Sequence, residues 1–403
     1  MLGRDAKDAI GQLVSAVLSS KPLVEGIGAP VRVVPFFSAG DSCGDWSVGQ
    51  RKAVRRLFDR IIQRAGVDGL VLSYDESFDG LEVFERVLSE RLALGDRMTV
   101  VGVVPADRLG EVESVVADTV ANSFDAFART ARATSFDGMS LNVYDAGEGD
   151  ETVVLVPACG MPAVLTESWV RFLARDRRVL TWETRGLFGA AGQPDDFAVN
   201  TEAQAADLLA VMDHYGVPSA HVVGLCGGAV IALAAAALRP AGVRSLSLWH
   251  GSYGFGADGP MTKHEQGMVE LMATAARDRA AARAVHAAFC QAMLTNTPAD
   301  VANLVLYPYA SPESLYRYCR LNSSLATTDV GRYLAEVTQP ALVVTSGDDH
   351  TAHPGASERV ASGLSNGELL MREHGDHISV FRADDTVLRT ATDFMAQSAV
   401  RSV

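Results

Sequence analysis

The chain has 403 residues, close to half of them apolar, and 49 Asp and Glu against 35 Lys and Arg give a formal net charge of −14. That length exceeds one ordinary core and implies two domains, or one domain with a large insertion. The acidic balance, with no Lys/Arg block, argues against nucleic acid and membranes as partners, and no run reaches the roughly eighteen apolar residues that span a bilayer.

The first twenty residues carry an apolar stretch broken by Asp5, Lys7 and Asp8, which predicts an amphipathic helix rather than a signal peptide. From residue 31 to about 130 the runs VRVVPFF, VDGLVLS and MTVVGVV alternate with helical periods such as GQRKAVRRLFDRIIQRAG and LEVFERVLSERLALG. This rhythm predicts three consecutive parallel β/α units, too few to close an eight-stranded barrel. SFDGMSLNVYDAGEG then alternates around Gly and Asp turn residues and predicts an antiparallel hairpin. Buried-strand runs follow at Thr152–Pro157, Val179–Glu183, Ala220–Leu225, Ser245–Trp249 and Ala341–Ser346, most of them succeeded by a helix-like segment.

The expected class is therefore α/β, with a mostly parallel sheet, helices on both faces and ligands gathered at the carboxyl ends of the strands. Boundaries are expected at 1–130 for a small, non-catalytic β/α domain and 131–403 for the catalytic one. Between Gly251 and Pro340 the strand pattern lapses into helical periods, and residues 252–339 are expected to cap the pocket. Tyr307, Tyr309, Tyr316 and Tyr318 in this insertion read either as pocket lining or as cap core.

Five cysteines, Cys43, Cys159, Cys226, Cys290 and Cys319, are odd in number, scattered and without metal-ligand spacing. They predict a reducing, cytoplasmic setting without structural zinc; separately, no metal and no cofactor are expected. Cys226 differs from the others. It lies in Val-Val-Gly-Leu-Cys-Gly-Gly-Ala-Val, residues 222–230, where an apolar strand turns into an alanine-rich helix. A nucleophile elbow demands that context: its central residue has a strained backbone, and Gly224 and Gly228 remove Cβ atoms that would clash. The helix beginning at Gly227 points its amino terminus at Cys226, which favours thiolate over thiol.

Residues 133–403 resemble the α/β-hydrolase superfamily. Val156-Pro157-Ala158-Cys159-Gly160-Met161-Pro162 is similar to its His-Gly-x-Pro loop, with Cys159 at the usual histidine; by that match the N–H groups of Met161 and Gly227 form the oxyanion hole. Trp182-Glu183-Thr184-Arg185-Gly186-Leu187-Phe188-Gly189 is similar to the Asp-x-Arg-Gly-x-Gly turn, with Glu183 for Asp. Glu373-His374-Gly375-Asp376-His377-Ile378 resembles the terminal Gly-x-His segment and gives the base role to His377, with His374 as fallback. In Gly347-Asp348-Asp349-His350-Thr351-Ala352-His353-Pro354 the aspartate slot counts to His350; a slip of one residue gives Asp349, preferred here, and a slip of two gives Asp348. Upstream, Gly66-Val67-Asp68-Gly69 and Glu85-Arg86 resemble the early part of the dihydrodipicolinate synthase and N-acetylneuraminate lyase barrels. Ser73-Tyr74-Asp75-Glu76-Ser77 replaces the substrate-binding turn and the later strands are missing. That resemblance implies a barrel fragment without aldolase chemistry, whose exposed strand edges suit docking or a homodimer.

A cysteine nucleophile makes the acyl-enzyme a thioester, open to amines, thiols or alcohols. The expected function is a cysteine-dependent acyl-transfer enzyme, thioesterase or acyltransferase, acting through Cys226, His377 and Asp349. Its substrate would be a small or medium acyl group on coenzyme A or a carrier protein. Two alternatives stand beside it: a non-covalent C–C hydrolase or lyase on the same scaffold, and a catalytically silent binding protein.

Overall fold

The computed structural model describes residues 2–27, 29–38, 46–75, 77–188, 196–256, 259–295 and 297–401. Cys43, Glu76 and Gly189 lie outside the described residues. Two compact units divide the chain: residues 1–127 with 290–310, and residues 128–289 with 311–403.

In the first unit, helix Arg4–Ile27 buries Ile10, Leu13, Val14 and Val17 along one face. Strands β1 (Val31–Val33) and β2 (Leu70–Leu72) pair in parallel, Val31 opposite Leu70. Between them, helix Val48–Ala65 opens on a Ser47–Gln50 capping box and stops at Gly66, whose φ of 64° is left-handed. The Gly-Val-Asp-Gly sequence thus ends a helix and re-enters a strand. Glu85 is buried and accepts both the backbone N–H and the guanidinium of Arg32.

The expected third strand does not form. Leu94–Val101 is a helix, and Leu94, Met98 and Val101 are its buried apolar side chains while Val100 is exposed. The valines that suggested a strand straddle a helical face of spacing i, i+4, i+7. A second correction concerns the cap. Residues 290–310 belong to the first unit, where Asn303 Nδ2 donates to Ser19 Oγ at 3.3 Å and Tyr307 and Tyr309 are buried. The helical insertion of the second unit is therefore 252–289 and 311–339, and Tyr307 and Tyr309 are core of the first unit, not pocket lining.

The second unit is built on eight strands: β3 (Arg129–Thr134), β4 (Ser140–Ala146), β5 (Thr152–Val156), β6 (Arg178–Trp182), β7 (Ala220–Leu225), β8 (Val243–Trp249), β9 (Ala341–Ser346) and β10 (Gly367–Arg372). Their order is β10-β9-β8-β7-β5-β6-β4-β3. The β3–β4 pair is an antiparallel hairpin, but the run SFDGMSLNVYDAGEG supplies only its turn and β4, and β3 lies before it; the strands from β6 to β10 run parallel. β10 follows helix Pro354–Gly363 and was not expected; its residues Glu368–Met371 are exposed, so it lacks the apolar run of a buried strand. β7 is buried along its whole length, as are residues 227–236 of the helix that follows. This is why both read as continuous apolar sequence. Among the described residues no helix is long and apolar enough to cross a membrane.

Candidate active site

Parallel register brings the carboxyl ends of β5 to β10 to one edge of the sheet, where Glu183 follows β6, Cys226 follows β7 and His250 follows β8. Cys226 follows β7 and has φ 53° and ψ −124°. A non-glycine residue in such a conformation costs about 1–3 kcal/mol and persists only where its surroundings fix it. Here the Cys226 N–H donates to Trp249 O at 2.9 Å, and its carbonyl accepts from the Ala229 N–H at 3.0 Å. A Cβ at Gly224 would lie 2.7 Å from Ala229 Cα, and one at Gly228 would lie 2.4 Å from the Val156 oxygen. Both glycines are thus required for the turn. Gly227 is not, since a Cβ there would meet Leu325 and Cys159 at ordinary contact distances. As the first helical residue, Gly227 has an N–H without an intrahelical acceptor.

The loop after β5 is held from the neighbouring strand end. Glu183, directly after β6, accepts the Ala163 N–H at 3.1 Å on each carboxylate oxygen, and Thr184 Oγ1 accepts the Gly160 N–H at 2.7 Å. Glu183 in place of the usual aspartate thereby reaches the start of the next helical turn. One expectation changes: the Met161 N–H, assigned to the oxyanion hole, donates to Ala158 O at 3.0 Å across a turn with Gly160 at φ 78°. The loop approaches the elbow through Cys159, whose backbone nitrogen lies 3.7 Å from a Cβ built on Gly227. The Cys159 thiol is buried and donates to Gln204 Oε1 at 3.5 Å. Burial, then the neighbouring Cys226 and Cys319, push it far up, so it is a neutral packing group.

Asp349 and His377 meet in the loops after β9 and β10. His377 Nδ1 lies 3.0 Å from Asp349 Oδ2, and both residues are buried. Asp348 and His374 are exposed and face each other at 3.4 Å, and His350 is exposed. The one-residue slip toward Asp349 is therefore the register that buries a carboxylate against an imidazole. Asp349 Oδ1 also accepts the N–H groups of Thr351 and Ala352, both at 2.9 Å. Burial alone would raise the Asp349 carboxyl, but His377 and His250 together hold it well below the usual carboxylate range. Burial disfavours an imidazolium at His377, yet the adjacent Cys226 and Asp349 outweigh it and raise His377 well above the ordinary histidine value. With Nδ1 committed to Asp349, Nε2 is the nitrogen available to Cys226.

Sequence reasoning missed His250. It is the residue directly after β8, fully buried, with φ 47°, and its Nδ1 lies 2.8 Å from the same Asp349 Oδ2. Its Nε2 is buried without a hydrogen-bond partner among the described residues, which costs about 1–3 kcal/mol. The available signal was its place at the carboxyl end of a buried strand. Nearby, Tyr253 is buried and its hydroxyl has no partner among the described residues; burial, then Cys226, push its phenol far up. His264, on helix Lys263–Ala275, is lowered by burial and by His377.

His250, Asp349 and His377 are also a set whose ligand atoms lie within 4.8 Å of one another, as a metal would need. Both Nδ1 atoms, however, are aimed at one carboxylate oxygen, a hydrogen-bonded arrangement that a cation would have to break.

The sheet agrees with the comparison to known families. A family model described as alpha/beta hydrolase fold matches residues 151–384, and the chain belongs to that family. Among curated relatives, the "Putative carbamate hydrolase RutD" of Pseudomonas savastanoi pv. phaseolicola is 26% identical over 230 residues, 55% of this chain and 85% of the relative. The 2-hydroxy-6-oxononadienedioate/2-hydroxy-6-oxononatrienedioate hydrolase 1 of Dechloromonas aromatica is 24% identical over 285 residues, 64% of this chain and 91% of the relative. The crystal structure of an enol-lactonase from Burkholderia xenovorans superposes with a TM-score of 0.54 at 20% identity, covering 66% of this chain and 100% of that one.

Proposed function

We propose that the protein is a cysteine-dependent acyl-transfer enzyme of the α/β-hydrolase family, acting on activated acyl thioesters. The observation that carries this reading is the left-handed Cys226 at the β7–helix turn with the buried His377–Asp349 pair beside it. His377 Nε2 takes the thiol proton, and the Cys226 sulfur forms a bond to the acyl carbonyl carbon. The Gly227 N–H, which has no intrahelical acceptor, donates to the resulting oxyanion. Collapse breaks the bond to the leaving thiol, which takes the proton from His377. Water or another acceptor then gives a proton to His377 and attacks the thioester carbon, releasing the acyl group and restoring Cys226. A cysteine fits this substrate class because exchange between two thioesters is close to thermoneutral.

A second reading has its own support in the relative named for hydrolysis of an oxo-dienedioate: direct attack of water on a substrate held by the same residues, with cleavage of a C–C bond and no acyl-cysteine. The two separate in one experiment. Wild-type protein and Cys226→Ala are incubated with a panel of acyl-N-acetylcysteamine thioesters and examined by intact-mass spectrometry. The first reading expects an acyl adduct on the wild type alone, with loss of turnover in the variant. No adduct and equal turnover by both proteins refutes it.

A further inference from the structure

Asp349 Oδ2 receives two imidazoles, His250 at 2.8 Å and His377 at 3.0 Å, while Oδ1 is filled by two backbone amides. We propose that His250 is a positioning residue of this site: by donating its Nδ1–H to the oxygen that His377 uses, it anchors the acid to the end of β8 and limits how much of the carboxylate's charge reaches His377. The proposal rests on the roles just given to Cys226, His377 and Asp349.

The backbone supports it. The His250 N–H donates to Val344 O of β9, at 2.8 Å, so the end of β8 is fastened to the strand that leads to Asp349. The left-handed φ lets the chain leave the sheet directly after this bond. The His250 ring stands edge-on to His377, with centroids 6.0 Å apart at 86°. Burial first, outweighing the attraction of Asp349, holds His250 below the ordinary histidine value. It is therefore neutral, its one proton is on Nδ1 toward the carboxylate, and it works as a donor rather than as a second charge. No proton passes through it.

The charged and titratable groups facing His250, Asp349 and His377 include Cys226 at the elbow, His264 and Glu265 on the cap helix Lys263–Ala275, and Arg372 at the end of β10. His377 is flanked on another side by the Phe381 ring at 6.1 Å. Replacing His250 leaves the side chains of Cys226, His377 and Asp349 and the cap helix unchanged. His250→Ala removes the donor. His250→Asn keeps an N–H where Nδ1–H was, on a residue that tolerates positive φ.

The test is the pH dependence of thioester turnover by the full-length chain, since the step that releases the acyl group needs neutral His377. In His250→Ala the acid limb of kcat should move up by about half a pH unit or more, with a plateau about tenfold lower. His250→Asn should restore most of both. A folded His250→Ala whose limb stays at the wild-type position overturns the proposal. Proton NMR of the wild type decides the matter if His250→Ala does not fold. Two downfield, slowly exchanging imidazole N–H signals, both lost in Asp349→Ala, are expected, and a single signal overturns it. Turnover retained by Cys226→Ala would refute the nucleophile reading instead, and the NMR count would still decide the place of His250.

Discussion

Gly228 faces the carbonyl oxygen of Val156 so closely that a Cβ on it would lie 2.4 Å away, with the Pro157 oxygen at 2.5 Å. Val156 cannot yield, because it is in β5 and its backbone is fixed by the ladder to β7. Gly228→Ala should therefore lose about 3 kcal/mol or more of stability. Gly227→Ala, whose nearest neighbours lie at 3.5–3.7 Å, should unfold within about 1 kcal/mol of wild type. Urea unfolding of the two variants checks this, and equal losses would show that the elbow is not confined by β5.

Glu183 links the end of β6 to the loop after β5 through the Ala163 N–H, and it also accepts from Tyr144 Oη at 3.2 Å. Glu183→Ala leaves a buried amide without its acceptor and should cost about 2 kcal/mol. Glu183→Gln keeps one acceptor oxygen and should cost less. Turnover should fall in the same order, because the loop that borders Cys226 loses its tether. A stability loss in Glu183→Ala with turnover unchanged would separate the tether from the chemistry.

A buried Arg185 lies between Asp137 and Asp207, and Asp207 also accepts from Ser135 Oγ. Burial pushes the Asp207 carboxyl up to about 7, against the pull of Arg185. The folded state thus holds a proton that the unfolded chain releases near pH ~4. This contribution is full below that pH and is lost as pH rises to about 7, by up to about 1.4 kcal/mol per pH unit. Asp207→Asn should flatten the fall in stability over this window, as read by urea midpoints at a series of pH values. Parallel curves for wild type and variant would count against a raised Asp207.

Cys226 is partly exposed, whereas Cys159, Cys290 and Cys319 are buried, and burial pushes all three of those thiols up, Cys290 to about 12. Brief treatment with iodoacetamide followed by peptide mapping should find the label on Cys226 and on none of these three. Loss of turnover should track that label. Labelling of Cys159 ahead of Cys226 would contradict the burial described here.

How much of this was legible in the sequence follows from how local each feature is. The elbow is contiguous, its glycines and cysteine all within residues 224–228, and both flanking elements announce themselves as apolar runs. Asp349 is blurred by a neighbouring aspartate and a one-residue slip, and the sequence does not show which carboxylate is buried against His377 and which is exposed. His250 meets Asp349 across 99 residues, and no local pattern marks that contact. The helix Leu94–Val101 misled because β-branched residues on a half-buried helix look like a strand until it is known which of them face inward. Residues 290–310 read as continuous with the cap because helical period carries no information about the partner a helix will choose.

That last segment has a consequence for how the chain comes off the ribosome. Most of the first unit is synthesised by residue 127, but the remainder, 290–310, follows only after β3 to β8 of the second. The first unit therefore cannot complete its core before most of the second has emerged. The usual order, in which the N-terminal domain folds before the next is made, would leave the first unit without residues 290–310, and a shortened chain beginning at residue 128 would keep Tyr307 and Tyr309, buried here, without the rest of that unit.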